Sequence, residues 1–163
     1  MAKRKQNSFA DALRLLGSKG VDAAAAGDKP RLLRAVVEHV DAAVVGQKTP
    51  FDKRDSVRDR LFALLMQHMD VVQAQRAAYL NVLQYLCRNP ADARHIGQPL
   101  FASLQNILRQ AGAPASPAHV GALALALLTI LAAWRNDTTA DLSKTMKACD
   151  KALGVLENVA RFV

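Results

Sequence analysis

"DLSKTMKACDKALGVLENVARFV", residues 141–163, closes the chain with its most regular pattern. Leu142, Met146, Cys149, Leu153, Leu156, Ala160 and Val163 are spaced alternately by four and three, a heptad seam held over three heptads. Val155, Val159 and Phe162 add a second apolar row beside it. One apolar stripe satisfies a chain's own core, and two on a terminal helix predict a partner helix as well. The economical solution is a homodimer whose last two helices form a four-helix arrangement. The expected interface is Leu123, Leu127, Ile130, Leu142, Met146, Cys149, Leu153, Leu156 and Ala160.

The helix before this one is of another kind. "HVGALALALLTILAAW", His119–Trp134, has no charge over the fifteen residues from Val120. Crossing a bilayer core takes about 18–20 such residues. Prolines bound this run on one side and Arg135-Asn136-Asp137 on the other. The expectation is therefore no membrane span but the central, all-round buried helix of a core. Ser116 is its expected N-cap, with Pro117 at the first helical position.

Upstream, apolar residues recur at helical spacing throughout. Leu32, Leu33, Val36, Val37, Val40 and Val44 predict a helix from near Asp28 to Gly46. Val57, Leu61, Leu64, Leu65, His68 and Val72 predict another over about 55–69, and Tyr79, Leu80, Leu83, Leu86 and Cys87 a third over about 73–88, broken by Asn89-Pro90. Leu100, Phe101, Leu104, Ile107 and Leu108 predict the inward face of a helix over about 99–111, capped by Gly112. Near the N-terminus, Ser8 and Asp11 read as a capping pair for Phe9, Ala12, Leu13 and Leu16. No stretch alternates with period two. Abundant Ala and Leu, with 5% aromatics, agree with an all-α fold.

Composition narrows the function. With 51% hydrophobic and 22% charged residues the chain is globular. Its net charge of +8 is spread, with an excess of five in residues 1–60 and three in residues 61–163, whereas a dedicated nucleic-acid face concentrates its charge. Cys87 and Cys149 read as buried, reduced thiols in a cytoplasmic protein. The basic start "MAKRKQNSFAD" has no apolar segment after it to form a secretion signal.

Chemistry-bearing constellations are missing. His39, His68, His95 and His119 are scattered, and Asp92 with His95 is a poor metal pair. "GSKG" at 17–20 lacks the strand and spacing of a phosphate loop. No catalytic residue, metal ligand or cofactor is expected, and the chain reads as non-enzymatic. Phe62, Leu65, Met66, Met69, Tyr79, Leu83, Phe101, Leu104 and Leu108 are the candidate lining of an apolar ligand site, since Met and aromatic side chains adapt to such ligands. The same residues would serve equally as plain core. Arg76 and Arg109 would meet an anionic head group or solvent.

Two segments resemble one family. "RDRLFALLMQHMDVVQAQRAAYLNVL", Arg58–Leu83, and "WRNDTTADLSKTMKACDKAL", Trp134–Leu153, are similar to the tetracycline-repressor (TetR) family, in the branch that includes lipid-binding accessory proteins of ubiquinone biosynthesis. The first carries Phe-x-x-Leu-Met and Gln-x-x-Arg-Ala, the second Asp-Leu-x-x-Thr-Met-x-x-x-Asp-x-x-Leu. The resemblance implies a helical ligand-binding and dimerisation core behind a helix-turn-helix. "FADALRLLGSKG", Phe9–Gly20, is similar to the family's first helix, and "GDKPRLLRAVVEHVDAAVV", Gly27–Val45, to its connecting helix. Only fifteen residues separate Leu16 from Leu32, while a helix-turn-helix takes roughly 20 residues plus connections. "VDAAAAG", Val21–Gly27, offers no Arg, Lys, Asn or Gln to meet DNA.

The expectation is thus a tail, first helix and shortened joint in residues 1–27, then a core over 28–163 that dimerises and holds an apolar or lipid-like molecule without reading DNA specifically. The alternatives are a regulator with a degenerate DNA-binding region, or an adaptor that pairs with intact regulators.

Overall fold

A computed structural model describes residues 29–45, 51–52 and 54–160. The expected first helix and the joint at 17–28 lie outside the described residues, as do the side chains of Val159 and Ala160. The fold is an all-α helical bundle, with no strand among the described residues. Its helices are α1 (Lys29–Val45), α2 (Val57–Ala74), α3 (Arg76–Arg88), α4 (Arg94–Ala111), α5 (Pro117–Arg135) and α6 (Ser143–Ala160), with a 3-10 turn at Pro90–Ala93 before α4.

The helices start and stop where local chemistry requires. Ser56 and Asp59 form a reciprocal cap on α2: Ser56 Oγ donates to Asp59 Oδ2 at 2.6 Å, and the Asp59 amide donates to Ser56 Oγ at 3.1 Å. The Ser56 hydroxyl and amide hold the Asp59 carboxyl below its usual range. Asn89 ends α3, and its N–H reaches back to the carbonyls of Tyr85 and Leu86. Ser116 caps α5 with Pro117 in the first turn, as the sequence predicts.

Gly112 ends α4 with φ +79°. The Ala113 amide bonds Leu108 O at 2.9 Å and the Gly112 amide bonds Arg109 O at 3.1 Å, the paired bonds of a Schellman ending. A Cβ on Gly112 would lie 3.6 Å from Arg60 Nη1, an ordinary contact, so conformation rather than a clash sets the cost of a side chain here. Gly112→Ala is expected to cost about 1 kcal/mol and lower Tm by roughly 2–4 °C in thermal unfolding.

Two helix boundaries differ from expectation. The helix expected to begin at Pro99 begins at Arg94, and Pro99 lies inside it. A proline reads as a start signal because the first turn has no N–H partners to lose, but here the preceding 3-10 turn has already set the chain coiling. The segments expected over 55–69 and 73–88 are parted only at Gln75, whose φ of −127° and ψ of 38° leave the helical region for one residue.

The chain divides into two compact units. Among the described residues, unit 1 takes 29–45 and 68–100, and unit 2 takes 51–52, 54–67 and 101–160. In unit 1, Leu32, Leu33, Val36 and Val44 of α1 are buried, as are Met69, Val72, Ala78, Tyr79 and Val82. His68 Nε2 lies 3.6 Å from Asp41 Oδ1 and Gln75 Nε2 lies 3.2 Å from His39 Nε2, linking α1 to the end of α2 and to the break.

In unit 2, α5 and α6 pack against one another. Arg58 ties the start of α2 to α6, with Nη2 2.6 Å from Asp150 Oδ1 and Nε 3.4 Å from Glu157 Oε2. The connection into α6 is built on Asp137. Its Oδ1 accepts from the Thr139 amide and hydroxyl at 3.0 and 2.6 Å, and its Oδ2 accepts from the Thr145 amide and hydroxyl at 2.8 Å each. Thr145 is the third residue of α6, so Asp137 does the work of an N-cap from six residues before the helix begins. The residue at the cap position, Leu142, is buried with φ 55°, a left-handed conformation unusual for a side chain with a Cβ.

Candidate functional site

The expected dimer seam is already filled. Leu142 at the cap of α6 and Cys149, Leu153 and Leu156 within it are buried in the single chain, and so are Leu123 and Ile130 of α5. These six are core residues of the single chain and leave little surface there for a second copy. The physical reason is that α5 of the same chain meets the heptad seam of α6. Leu127 is half-buried, and Met146 is the exposed member of the seam. Ala160 contributes no described side chain.

A different row is open. On α5, Ala118, Gly121, Leu125, Leu128, Ala132 and Arg135 are all exposed, at spacings of three and four, so they share one face. Leu125 is 68% and Leu128 62% exposed. Val120, Leu123, Ala126, Ile130 and Trp134 are buried on the other side of the same helix. The expectation that α5 is buried all round is therefore wrong. A charge-free sequence names two apolar faces, and only one of them is used inward. Of its most apolar eighteen-residue window 28% is buried, and among the described residues α5 alone is long and apolar enough, by length and composition, to cross a membrane.

The nine candidate ligand-lining residues do not gather in one unit. Met69, Tyr79 and Leu83 belong to unit 1, while Phe62, Leu65, Met66, Phe101, Leu104 and Leu108 belong to unit 2. Leu65, Met69, Tyr79, Leu104 and Leu108 are buried, and Phe62, Met66 and Leu83 are half-buried. Phe101 is 41% exposed, so its assignment to the inward face of α4 is corrected. The buried residues of that helix, Ser103, Leu104, Ile107, Leu108 and Ala111, place Phe101 at the edge of the stripe. Arg109 is exposed and reaches Asn106, and Arg76 contacts Gln73 Oε1 at 3.2 Å.

The polar candidates resolve into local structure. Tyr85 donates a very short hydrogen bond to Asp92, which raises the Tyr85 pKa to about 12 and turns Asp92 away from a role beside His95. Ser116 Oγ lies 2.6 Å from His119 Nδ1, but the serine is the N-cap and the histidine stands in the first turn it caps. Among the described residues no group of three His, Cys, Asp or Glu could hold a metal ion. Cys149 is buried, and burial pushes its thiol up to about 12. Cys87 is exposed, contrary to expectation, because it lies on the outer side of α3.

One feature gave no sequence signal beyond the place of Tyr79 among the candidate lining residues. Tyr79 Oη and Gln75 Oε1 are buried with no hydrogen-bond partner, and both belong to unit 1. No family model, no curated protein and no solved structure matches this chain.

Proposed function

We propose that this protein is a non-enzymatic, TetR-like helical binding module that works in the cytoplasm as a homodimer and holds an apolar small molecule without reading DNA specifically. The outer face of α5 carries the reading. Leu125 and Leu128, each more than 60% exposed, stand in a row of small and apolar residues with no charge between Ala118 and Ala132. An apolar face of this kind on a water-exposed helix is an interaction surface. The row's spacing suits pairing with its own copy across a two-fold axis, because Gly121 and Ala132 leave room for the leucines between them. The dimer of the last two helices is thus kept, with its contact moved from the heptad seam of α6 to the far side of α5.

The ligand part of the reading rests on the adaptable apolar residues Met69, Tyr79 and Leu83 in unit 1. Two free cysteines suit a reducing compartment. Sedimentation equilibrium over a hundredfold range of concentration tests the dimer: a mass of two chains, falling to one only on strong dilution, is expected. A single-chain mass throughout would overturn it. Native mass spectrometry of gently purified protein tests for a bound apolar molecule, and salt-dependent, sequence-selective gel shifts would count against the loss of DNA reading.

A further inference from the structure

Tyr79 is 6% exposed, and its hydroxyl has no partner. Native interiors leave few polar groups in that state, because a buried hydroxyl without a hydrogen bond forfeits its hydration for nothing. A second such group stands one helical turn away. Gln75 breaks the chain between α2 and α3, its carbonyl accepts the Tyr79 amide at 3.2 Å, and its side-chain oxygen is also buried and unpaired. Its side-chain nitrogen is occupied at 3.2 Å from His39 Nε2, so the oxygen alone is open. Buried apolar residues flank both in the sequence: Met69 and Val72 before them, Ala78 and Val82 after.

The two groups differ in what they lack. Burial pushes the Tyr79 phenol up to about 12, so it is neutral at physiological pH and has a proton to donate. Gln75 Oε1 can only accept. A hydroxyl group accepts one hydrogen bond and donates another, which serves both. A ketone serves the tyrosine alone, a carboxylate has no proton for the glutamine, and an alkane serves neither.

We infer that Tyr79 and Gln75 are the polar anchor of a ligand site in unit 1 that takes an uncharged apolar molecule bearing a hydroxyl group, an alcohol or a phenol. This rests on the reading of the protein as a binding module for apolar molecules and adds the head group. The apolar remainder of the ligand meets Met69 and its neighbours, and the hydroxyl accepts from Tyr79 while donating to Gln75.

The full chain is titrated calorimetrically with 1-octanol, 2-octanone and octanoate. Octanol is expected to bind about tenfold more tightly than octanone, and octanoate more weakly than either. Tyr79→Phe keeps the ring and removes the orphan group. It should weaken octanol and octanone alike by about tenfold, while raising the Tm of the ligand-free protein by roughly 2–4 °C. Gln75→Met should erase the preference for octanol over octanone. Equal affinities for octanol and octanone, unmoved by either substitution, would overturn the anchor and leave the apolar-binding reading standing. A Tm lowered by several degrees in Tyr79→Phe would show the hydroxyl paired within the fold, and would also overturn it. Failure of all three probes to bind the wild type would remove the anchor together with the reading beneath it.

Discussion

Replacing Asp137 by alanine is expected to lower Tm by on the order of 10 °C, the largest loss from any single polar side chain among the described residues. The carboxylate is 1% exposed and accepts four hydrogen bonds, two from Thr139 and two from Thr145. Truncation would strand all four donors. Thr145 is fully buried, so its amide and hydroxyl would have no water to turn to. Its amide is also one of the four N–H groups at the start of α6 that have no partner within the helix. Thr145→Val removes one hydroxyl and keeps the amide bond, and should lose much less. Hydrogen exchange should locate the damage, with Ser143 to Met146 losing protection first. An Asp137→Ala protein no less stable than Thr145→Val would refute the capping role.

The same carboxylate gives the fold an acid limit. Burial pushes the Asp137 pKa up, but the hydrogen bonds from Thr139 and Thr145 outweigh it and hold the carboxyl well below the usual range. Since folding lowers this pKa, the unfolded chain takes up the proton more readily. The contribution is whole above about pH 5 and declines as pH falls through the ordinary aspartate value near 3.9 and below it. Tm measured from pH 7 to pH 3 should fall less steeply in Asp137→Ala than in the wild type.

Asp137 also shows what the sequence could disclose. The segment from Trp134 to Leu153 stood out as a motif, and of its marked residues Trp134, Asp137, Leu142, Thr145 and Leu153 are buried, while Asp141, Met146 and Asp150 are exposed. The motif was legible, but its meaning was not, since a cap acting from Asp137 to Thr145 leaves no periodic trace. Boundaries set by one or two residues were legible outright, as at Asn89-Pro90, Gly112 and Ser116-Pro117, because backbone sterics act within a turn. Pro99 misled because its effect depends on whether a helix is already under way. Periodicity placed the seam of α6 but not what covers it within the chain. A heptad records that an apolar row needs covering, and nothing in it distinguishes α5 of the same chain from a second copy. Tyr79 was legible only as one of nine apolar candidates and Gln75 not at all, since an unpaired atom is a property of packing.

Leu125→Glu combined with Leu128→Glu is expected to convert the proposed dimer to a monomer, weakening association by about a thousandfold or more, roughly 4 kcal/mol. Both leucines project from the side of α5 opposite its buried residues, so the substitutions leave the chain's own core untouched. Helix content by circular dichroism should be unchanged, and Tm of the diluted protein should match that of the diluted wild type. In a symmetric pair each substitution appears twice, which places four carboxylates in a surface that otherwise carries no charge from Ala118 to Ala132. Met146→Glu is the control, being exposed on the seam first expected to form the contact. It should leave the association constant within a few-fold of the wild type. Dissociation by Met146→Glu with no effect of the two leucine changes would return the interface to the seam of α6. A wild type that stays monomeric yet co-floats with vesicles, and loses that binding in the double variant, would assign the same face to a lipid surface.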